Sequence, residues 1–340
     1  MPKPHQLMIR YIRGALCLSL ILCVSGWCVR ANAQRSPAKV SVERDQGIKL
    51  YKQGQTQAAI KILKEVVKQH PDDADAWYFL GLAYYADSSI WLARVAFERL
   101  LSLRPDSVDA NAKLAYALIL ANEPERATAM ARHAIELGDQ SPEPHYAIAE
   151  VSFRAGEYSK ALEEAQKALK LNPDFGPALI TKTLAHSSLK QYEEAAASLQ
   201  KFLTINPADP DADVWREQLE RLRNFGRKTG GSIGSTAVLK PTEDLPLSGR
   251  EVTTKARVLA KPEPTYTEAA RKAGLTGTVV LRCVFSSNGE VKNFLVVWSL
   301  GYGLTSKAVQ AARGIRFVPA TKDGKQVSMW MELQYNFYLY

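Results

Sequence analysis

The stretch ADAWYFLGLAYYADSSIWLARVAFERLLSLRPDS, residues 74–107, decides the fold. Apolar residues recur at helical spacing in both of its halves, with small Gly81 in the first, Ala93 in the second and Pro105 near the end. This is the pattern of two amphipathic helices that pack closely. The same layout recurs along the chain. Windows of 34 residues starting at 40, 74, 108, 142 and 176 place Ala59, Ala93, Ala127, Ala161 and Ala195 in phase. Near their ends stand Pro71, Pro105, Asp139, Pro173 and Pro207. Five alanines in one phase identify an internal repeat. Gly47, Gly81, Ala115 and Ala149 give each first helix a small residue where it meets its partner, and Thr183 is the one departure. Proline stops the second helix, and Asp139 within Gly138-Asp139-Gln140-Ser141-Pro142 does so by loop chemistry.

Trp77-x2-Leu80-Gly81-x2-Tyr84, then Ala93-x3-Phe97, then Pro105 resembles the tetratricopeptide (TPR) signature throughout. The resemblance implies a solenoid of stacked helix pairs. Val214, Trp215, Leu219 and Leu222 on a charged background supply the capping helix such a stack needs, so the block runs from 40 to 225. In proteins similar to this one, the first helices line a concave surface, and here they offer Tyr51, Tyr78, Tyr85, Tyr116, Tyr146 and Phe153. Aromatic groups with a polar tip suit an extended peptide or a partner helix. The same positions also suit inter-repeat core. Asp75, Asp109 and Glu143 share one place in three windows, as an acidic groove edge or as a solvated face. The Lys and Asn pattern of TPR sites that clamp a C-terminal carboxylate is absent, so a chaperone-tail receptor is not expected.

Upstream of the repeats, residues 1–13 carry Lys3, Arg10 and Arg13 with no acid, then an apolar run reaches Val29, and Arg30-Ala31-Asn32-Ala33-Gln34 follows. This is the order of an export signal cleaved after Ala33. The 16 residues between Arg13 and Arg30 span roughly 24 Å as a helix, against about 30 Å of hydrocarbon, and an uncleaved inner-membrane anchor is the alternative. Leu22 before Cys23 and Trp27 before Cys28 argue against lipidation. Cleavage leaves Cys283 as the one remaining cysteine, read as a small core residue of a strand.

Downstream, residues 226–254 collect Gly226, Gly230, Gly231, Gly234, Gly249, Pro241 and Pro246 with few large apolar groups, the composition of a flexible linker. From 255 onward the period changes. Residues 277–286 read as a strand, Asn288-Gly289 as a hairpin turn and 290–299 as the returning strand. Thr265-x-x-Glu268 opens a short helix ending at Gly274, and residues 304–313 form a second helix stopped by Gly314. The closing run puts Val327, Met329, Met331, Leu333, Tyr335 and Phe337 on one face, as a long strand with one buried side.

Pro264-x-Tyr266 with Ala269-Ala270-Arg271, Gly274-x-x-Gly277-x-Val279, Asn288-Gly289-x-Val291, Gly301, Phe317-x-Pro319-Ala320 and Asp323-Gly324-Lys325-x-Val327 together resemble the TonB C-terminal domain over 255–340. Family members usually carry proline where this chain has Thr267. The expected architecture is therefore an α-helical TPR solenoid of five repeats plus a capping helix, joined by a flexible linker to a small α+β TonB-like C-terminal domain. The TonB resemblance implies binding to plug segments of outer-membrane transporters, often by strand pairing. It places Val327, Met329, Met331, Leu333, Tyr335 and Phe337 on an edge strand able to accept a partner, unless that edge is covered or closes a homodimer. It also implies an N-terminal helix engaged with a proton-driven motor. Motor-coupled members have a histidine in that helix, which this segment lacks, and the Pro-rich spacer is replaced by repeats.

The expected function is a non-enzymatic periplasmic or membrane-attached adaptor, with one envelope partner in the TPR groove and another on the TonB-like domain. A true energy transducer with an uncleaved helix is the alternative. No metal, cofactor or nucleic-acid ligand is expected. The five histidines are scattered, and no phosphate loop or nucleophile elbow occurs. Ser187-x-x-Lys190 matches a penicillin-binding pattern in four letters only and reads as a helix end. The net charge of +9 is uneven. Residues 1–33 hold four Lys and Arg and no acid, while 226–340 hold sixteen against eight Asp and Glu. The repeat block is mildly acidic and the C-terminal part basic, a balance suited to protein partners.

Overall fold

In a computed structural model, residues 37–229 and 245–339 are described. The expected export signal, with its Ala33–Gln34 junction, and linker residues 230–244 lie outside the described residues. Eleven consecutive helices come first: α1 (Pro37–Lys52), α2 (Thr56–Gln69), α3 (Ala74–Ala86), α4 (Ile90–Leu103), α5 (Val108–Leu120), α6 (Pro124–Glu136), α7 (Glu143–Arg154), α8 (Tyr158–Leu171), α9 (Gly176–Ser188), α10 (Tyr192–Ile205) and α11 (Ala212–Thr229). They pair as five helical hairpins closed by α11, a TPR solenoid.

The phased alanines explain the pairing. Ala59, Ala93, Ala127, Ala161 and Ala195 are all fully buried, because each sits where its second helix crosses the first. The facing position tolerates little. A Cβ on Gly81 would lie 2.6 Å from the Phe97 ring, and one on Gly47 2.7 Å from Leu63. Thr183 fits this crowded place because its hydroxyl turns back onto its own helix, donating to Leu179 O at 2.8 Å. Asp139 ends its repeat as an Asx turn, its carboxylate accepting from the Ser141 amide at 2.9 Å.

The turn inside every hairpin follows one rule. Gly54, Ser88, Asn122, Gly156 and Lys190 all have positive φ, between 58° and 78°. The next amide, of Gln55, Ser89, Glu123, Glu157 or Gln191, donates at 2.9 Å to a carbonyl five residues back. This closes the orphan carbonyls of the first helix in Schellman fashion.

The C-terminal part is α+β. Its strands are β1 (Arg257–Ala260), β2 (Gly277–Phe285), β3 (Val291–Trp298), β4 (Arg316–Val318), β5 (Ala320–Lys322), β6 (Lys325–Val327) and β7 (Met329–Phe337). Its helices are α12 (Glu268–Ala273) and α13 (Leu304–Arg313). The main sheet is antiparallel in the order β3-β2-β7, with small pairs β1-β4 and β5-β6 beside it. Tyr335, Phe337, Phe285, Cys283 and Leu281 fill its core, and burial pushes the Cys283 thiol up to about 12.

Three expectations need correction here. The cap of α12 is Thr267, whose hydroxyl accepts from Ala270 N at 3.1 Å, rather than Thr265; threonine at the usual proline position thus becomes the cap itself. The closing strand is broken at Ser328, which is buried and whose hydroxyl accepts from Ser287 N at 3.0 Å. Val327 therefore belongs to β6, and β7 begins at Met329. The span 226–254 is not loose at its ends. Helix α11 continues to Thr229, Leu247 bridges to Met329, and Thr254 pairs with Thr321.

Candidate functional site

Two surfaces carry the chemistry of association: the face built by the first helices of the repeats, and the outer edge of β7. On the first, aromatic rings gather in separate groups. Tyr51 meets Phe79 edge-on at 6.0 Å, Tyr85 meets Tyr116 at 5.8 Å, and Tyr116 meets Tyr146 at 5.7 Å. Phe175 follows at 5.6 Å from Tyr146, and Phe153 is buried against Tyr158. The acids are bound to these rings. Asp109 accepts from Tyr78 OH at 3.0 Å, while Glu143 accepts from Tyr85 OH at 3.4 Å and from Lys113 at 3.3 Å. Lys113 also sits 4.8 Å over the Tyr85 ring. Burial, then the neighbouring carboxylate, pushes the phenols of Tyr78 and Tyr85 far up, so both remain donors. Asp75 points elsewhere, to Arg104 at 2.7 Å.

Part of this face, around Tyr116 and Tyr146, lies against the chain's own C-terminal domain. Thr276 N donates at 3.1 Å to Leu120 O, a carbonyl at the end of α5 that has no partner within its helix. Gly274 lies so close to Trp91 that a Cβ there would stand 2.8 Å away. Lys272 pairs with Asp87 at 3.0 Å, and the Arg154 guanidinium lies 5.4 Å over the Trp298 ring. At the start of α13 the N-cap is Gly303, with no side chain to cap the helix. Asp211 does so across the interface, accepting from Gly303 N at 3.0 Å and Ser306 N at 2.7 Å. Burial raises its carboxyl to about 6, offset in part by those same bonds.

The outer edge of β3 is capped at Val296 by a side chain. Gln218 of α11 is 1% exposed; its carbonyl oxygen accepts from Val296 N at 2.8 Å and its amide donates to Val296 O at 3.4 Å. A carboxamide thus occupies the place of a neighbouring strand's peptide group. Sequence reasoning missed Gln218, Asp211 and Tyr302. The only local signal was at Tyr302, an aromatic residue between two glycines.

β7 is the opposite edge. Its side chains do not form the expected partner surface: Met329, Leu333, Tyr335 and Phe337 are buried in the core and Met331 is half-buried, since alternation turns that face onto the helices. What faces outward is backbone. Trp330 N donates to Leu247 O at 2.9 Å, and the unbroken register with β2 sends the N–H and C=O groups of Glu332, Gln334 and Asn336 to the same side. Among the described residues no strand pairs with them. Lys261 Nζ touches Gln334 O at 2.7 Å, a lone cation on an open edge. No group of three or more His, Cys, Asp or Glu among the described residues could hold a metal, and no described helix is long and apolar enough to cross a membrane.

Comparison with known proteins agrees with this division. Residues 262–339 match the family model of the Gram-negative bacterial TonB protein C-terminal domain. Residues 44–90, 142–175 and 178–209 match tetratricopeptide-repeat models. The chain is 22% identical over 173 residues to the formate-dependent nitrite reductase complex subunit NrfG of Escherichia coli O157:H7, covering 50% of this chain and 87% of that protein. It is 34% identical over 71 residues to the PEX5-related protein of Mus musculus, covering 21% of this chain but only 12% of that protein. Among solved structures it resembles PilW, a type IV pilus biogenesis factor, with a TM-score of 0.45 and 16% identity over 55% of this chain and 87% of that one. The crystal structure of MamA gives a TM-score of 0.41 and 24% identity over 49% and 92%.

Proposed function

We propose that this chain, which carries TPR repeats followed by a TonB C-terminal domain, is a non-enzymatic adaptor of the Gram-negative envelope that works on the periplasmic side. Its TonB-like domain accepts an extended segment of an outer-membrane transporter or another envelope protein along β7, while its repeats hold a second protein. One observation carries the reading: among the described residues no strand pairs with the outer backbone of Glu332, Gln334 and Asn336, where Gln334 O accepts from the Lys261 ammonium, whereas Gln218 caps the other sheet edge at Val296. An incoming strand would gain its affinity from the main-chain ladder and its selectivity from Trp330, Glu332, Gln334 and Asn336. The basic balance of residues 226–340 favours an acidic partner segment.

Co-purification from envelope membranes tests this with three chains: the intact protein, one lacking residues 255–340, and Gln334→Pro. Proline removes one outward N–H, and an edge strand tolerates it. The adaptor reading expects an outer-membrane protein to accompany the intact chain and to be lost from both variants. Retention by Gln334→Pro would contradict strand pairing on this edge.

A further inference from the structure

Loop 299–303, between β3 and α13, meets the solenoid at the interface. Its Tyr302 takes φ 60° and Gly303 φ 83°. A left-handed conformation is natural for glycine and unfavourable for a bulky side chain. What Tyr302 gains there is the groove. Its ring lines one cavity together with Tyr116 and Tyr146. Those two are among the residues that the TPR resemblance assigns to ligand binding. The loop does not fill its seat. A cavity of about 370 Å³ remains beside it, bounded by Tyr116, Tyr146, Glu150, Arg154, Leu275 and Tyr302, within the usual range of ligand pockets, about 300–1,000 Å³. Nearby, buried Glu143 keeps one carboxylate oxygen, Oε2, without a hydrogen-bond partner.

We propose that the TPR groove is a receptor for a tyrosine flanked by small residues, that loop 299–303 of the same chain is its resting occupant, and that a protein partner presenting a bulkier segment of this chemistry takes the groove by displacing the C-terminal domain. The proposal rests on the groove half of the adaptor reading and is independent of β7. The occupant is tethered, so an outside ligand meets a groove that is open only for a fraction of the time, and its apparent affinity falls by that fraction. Displacement also withdraws Gln218 from Val296, so occupation of the groove would expose β3 as a second free edge. The two partner sites would then be coupled through one domain movement.

The test uses the full chain, its Tyr302→Gly variant, and a fluorescent peptide with the sequence of residues 297–305, beside a control peptide carrying alanine in place of tyrosine. Glycine relieves the strained backbone and removes only the anchor. Hydrogen exchange should rise at least about tenfold at Thr276, Val296 and Ser306, whose amides are held by the solenoid, with β2 amides unchanged. The variant should bind the tyrosine peptide at least about tenfold more tightly than the intact chain, because its internal competitor is gone, and the alanine peptide should not bind. Tyr116→Leu, which takes an aromatic ring out of the groove wall, should weaken peptide binding from the groove side should the glycine variant fail to fold. Unchanged exchange in a folded variant, equal affinity of both chains, equal affinity of both peptides, or no peptide binding at all would each overturn the proposal. A strand partner retained on β7 alongside any of these results leaves the other half of the adaptor reading standing.

Discussion

Replacing Gln218 by leucine removes the clasp on β3 at nearly constant volume. The amide has two bonds to Val296, at 2.8 Å and 3.4 Å. The longer lies at the edge of useful geometry and contributes little. The shorter leaves a buried backbone N–H unsatisfied, which costs about 1–3 kcal/mol. Leucine adds no partner for it, so about 2 kcal/mol is the expected loss of docking free energy, roughly a thirtyfold shift toward the undocked domain. Amide hydrogen exchange followed by NMR reads this directly. Val296 and Thr276 should exchange some thirtyfold faster, while Ala93 and Ala127, inside the repeats, keep their protection. A folded Gln218→Leu protein whose Val296 exchanges within twofold of the parent would show that the clasp contributes nothing to docking.

Gly81→Ala should lower solenoid stability by about 1–3 kcal/mol, because its Cβ would stand 2.6 Å from Phe97; thermal unfolding by circular dichroism measures it. Docking should depend on pH through Asp211, whose carboxyl titrates near 6 when docked and near its ordinary value of about 3.9 when released. The docked state holds the proton more tightly, so docking is strongest below about pH 4 and weakens as pH rises through about 6. Exchange at Ser306 should follow that curve, and Asp211→Asn should flatten it. Cys283, fully buried with its thiol raised to about 12, should resist a thiol reagent in the native protein and react at once in denaturant; rapid native labelling would show that the β2 core opens.

The repeats were legible because their signal is local and recurs five times: a small residue and an alanine at fixed places need no knowledge of distant contacts. Helix α13 was legible for a similar reason, bounded by Gly303 and Gly314. The left-handed turns at Ser88, Asn122 and Lys190 were not, since those residue types carry no glycine signal and the hairpin geometry imposes φ on them. The break at Ser328 was hidden by unbroken apolar alternation, and only the Ser287 amide, 41 residues away, explains it. The docked arrangement was the least legible of all. Gln218 meets Val296 across 78 residues and Asp211 meets Gly303 across 92, and a polar residue on a capping helix looks like a solvated one until its partner is in place. Glycine and proline between 226 and 254 suggested two independent bodies, whereas the described ends of that segment are held by α11 and by the β7 edge.

In the proposed adaptor, β7 is open to a partner's strand while β3 is held against the solenoid. A photo-crosslinking amino acid placed at Gln334, and separately at Lys292 on β3, tests it in the intact envelope. Gln334 should capture an outer-membrane protein, and Lys292 should capture no partner until docking is broken by Gln218→Leu. Capture of an envelope protein from Lys292 but not from Gln334 in the parent chain would contradict it.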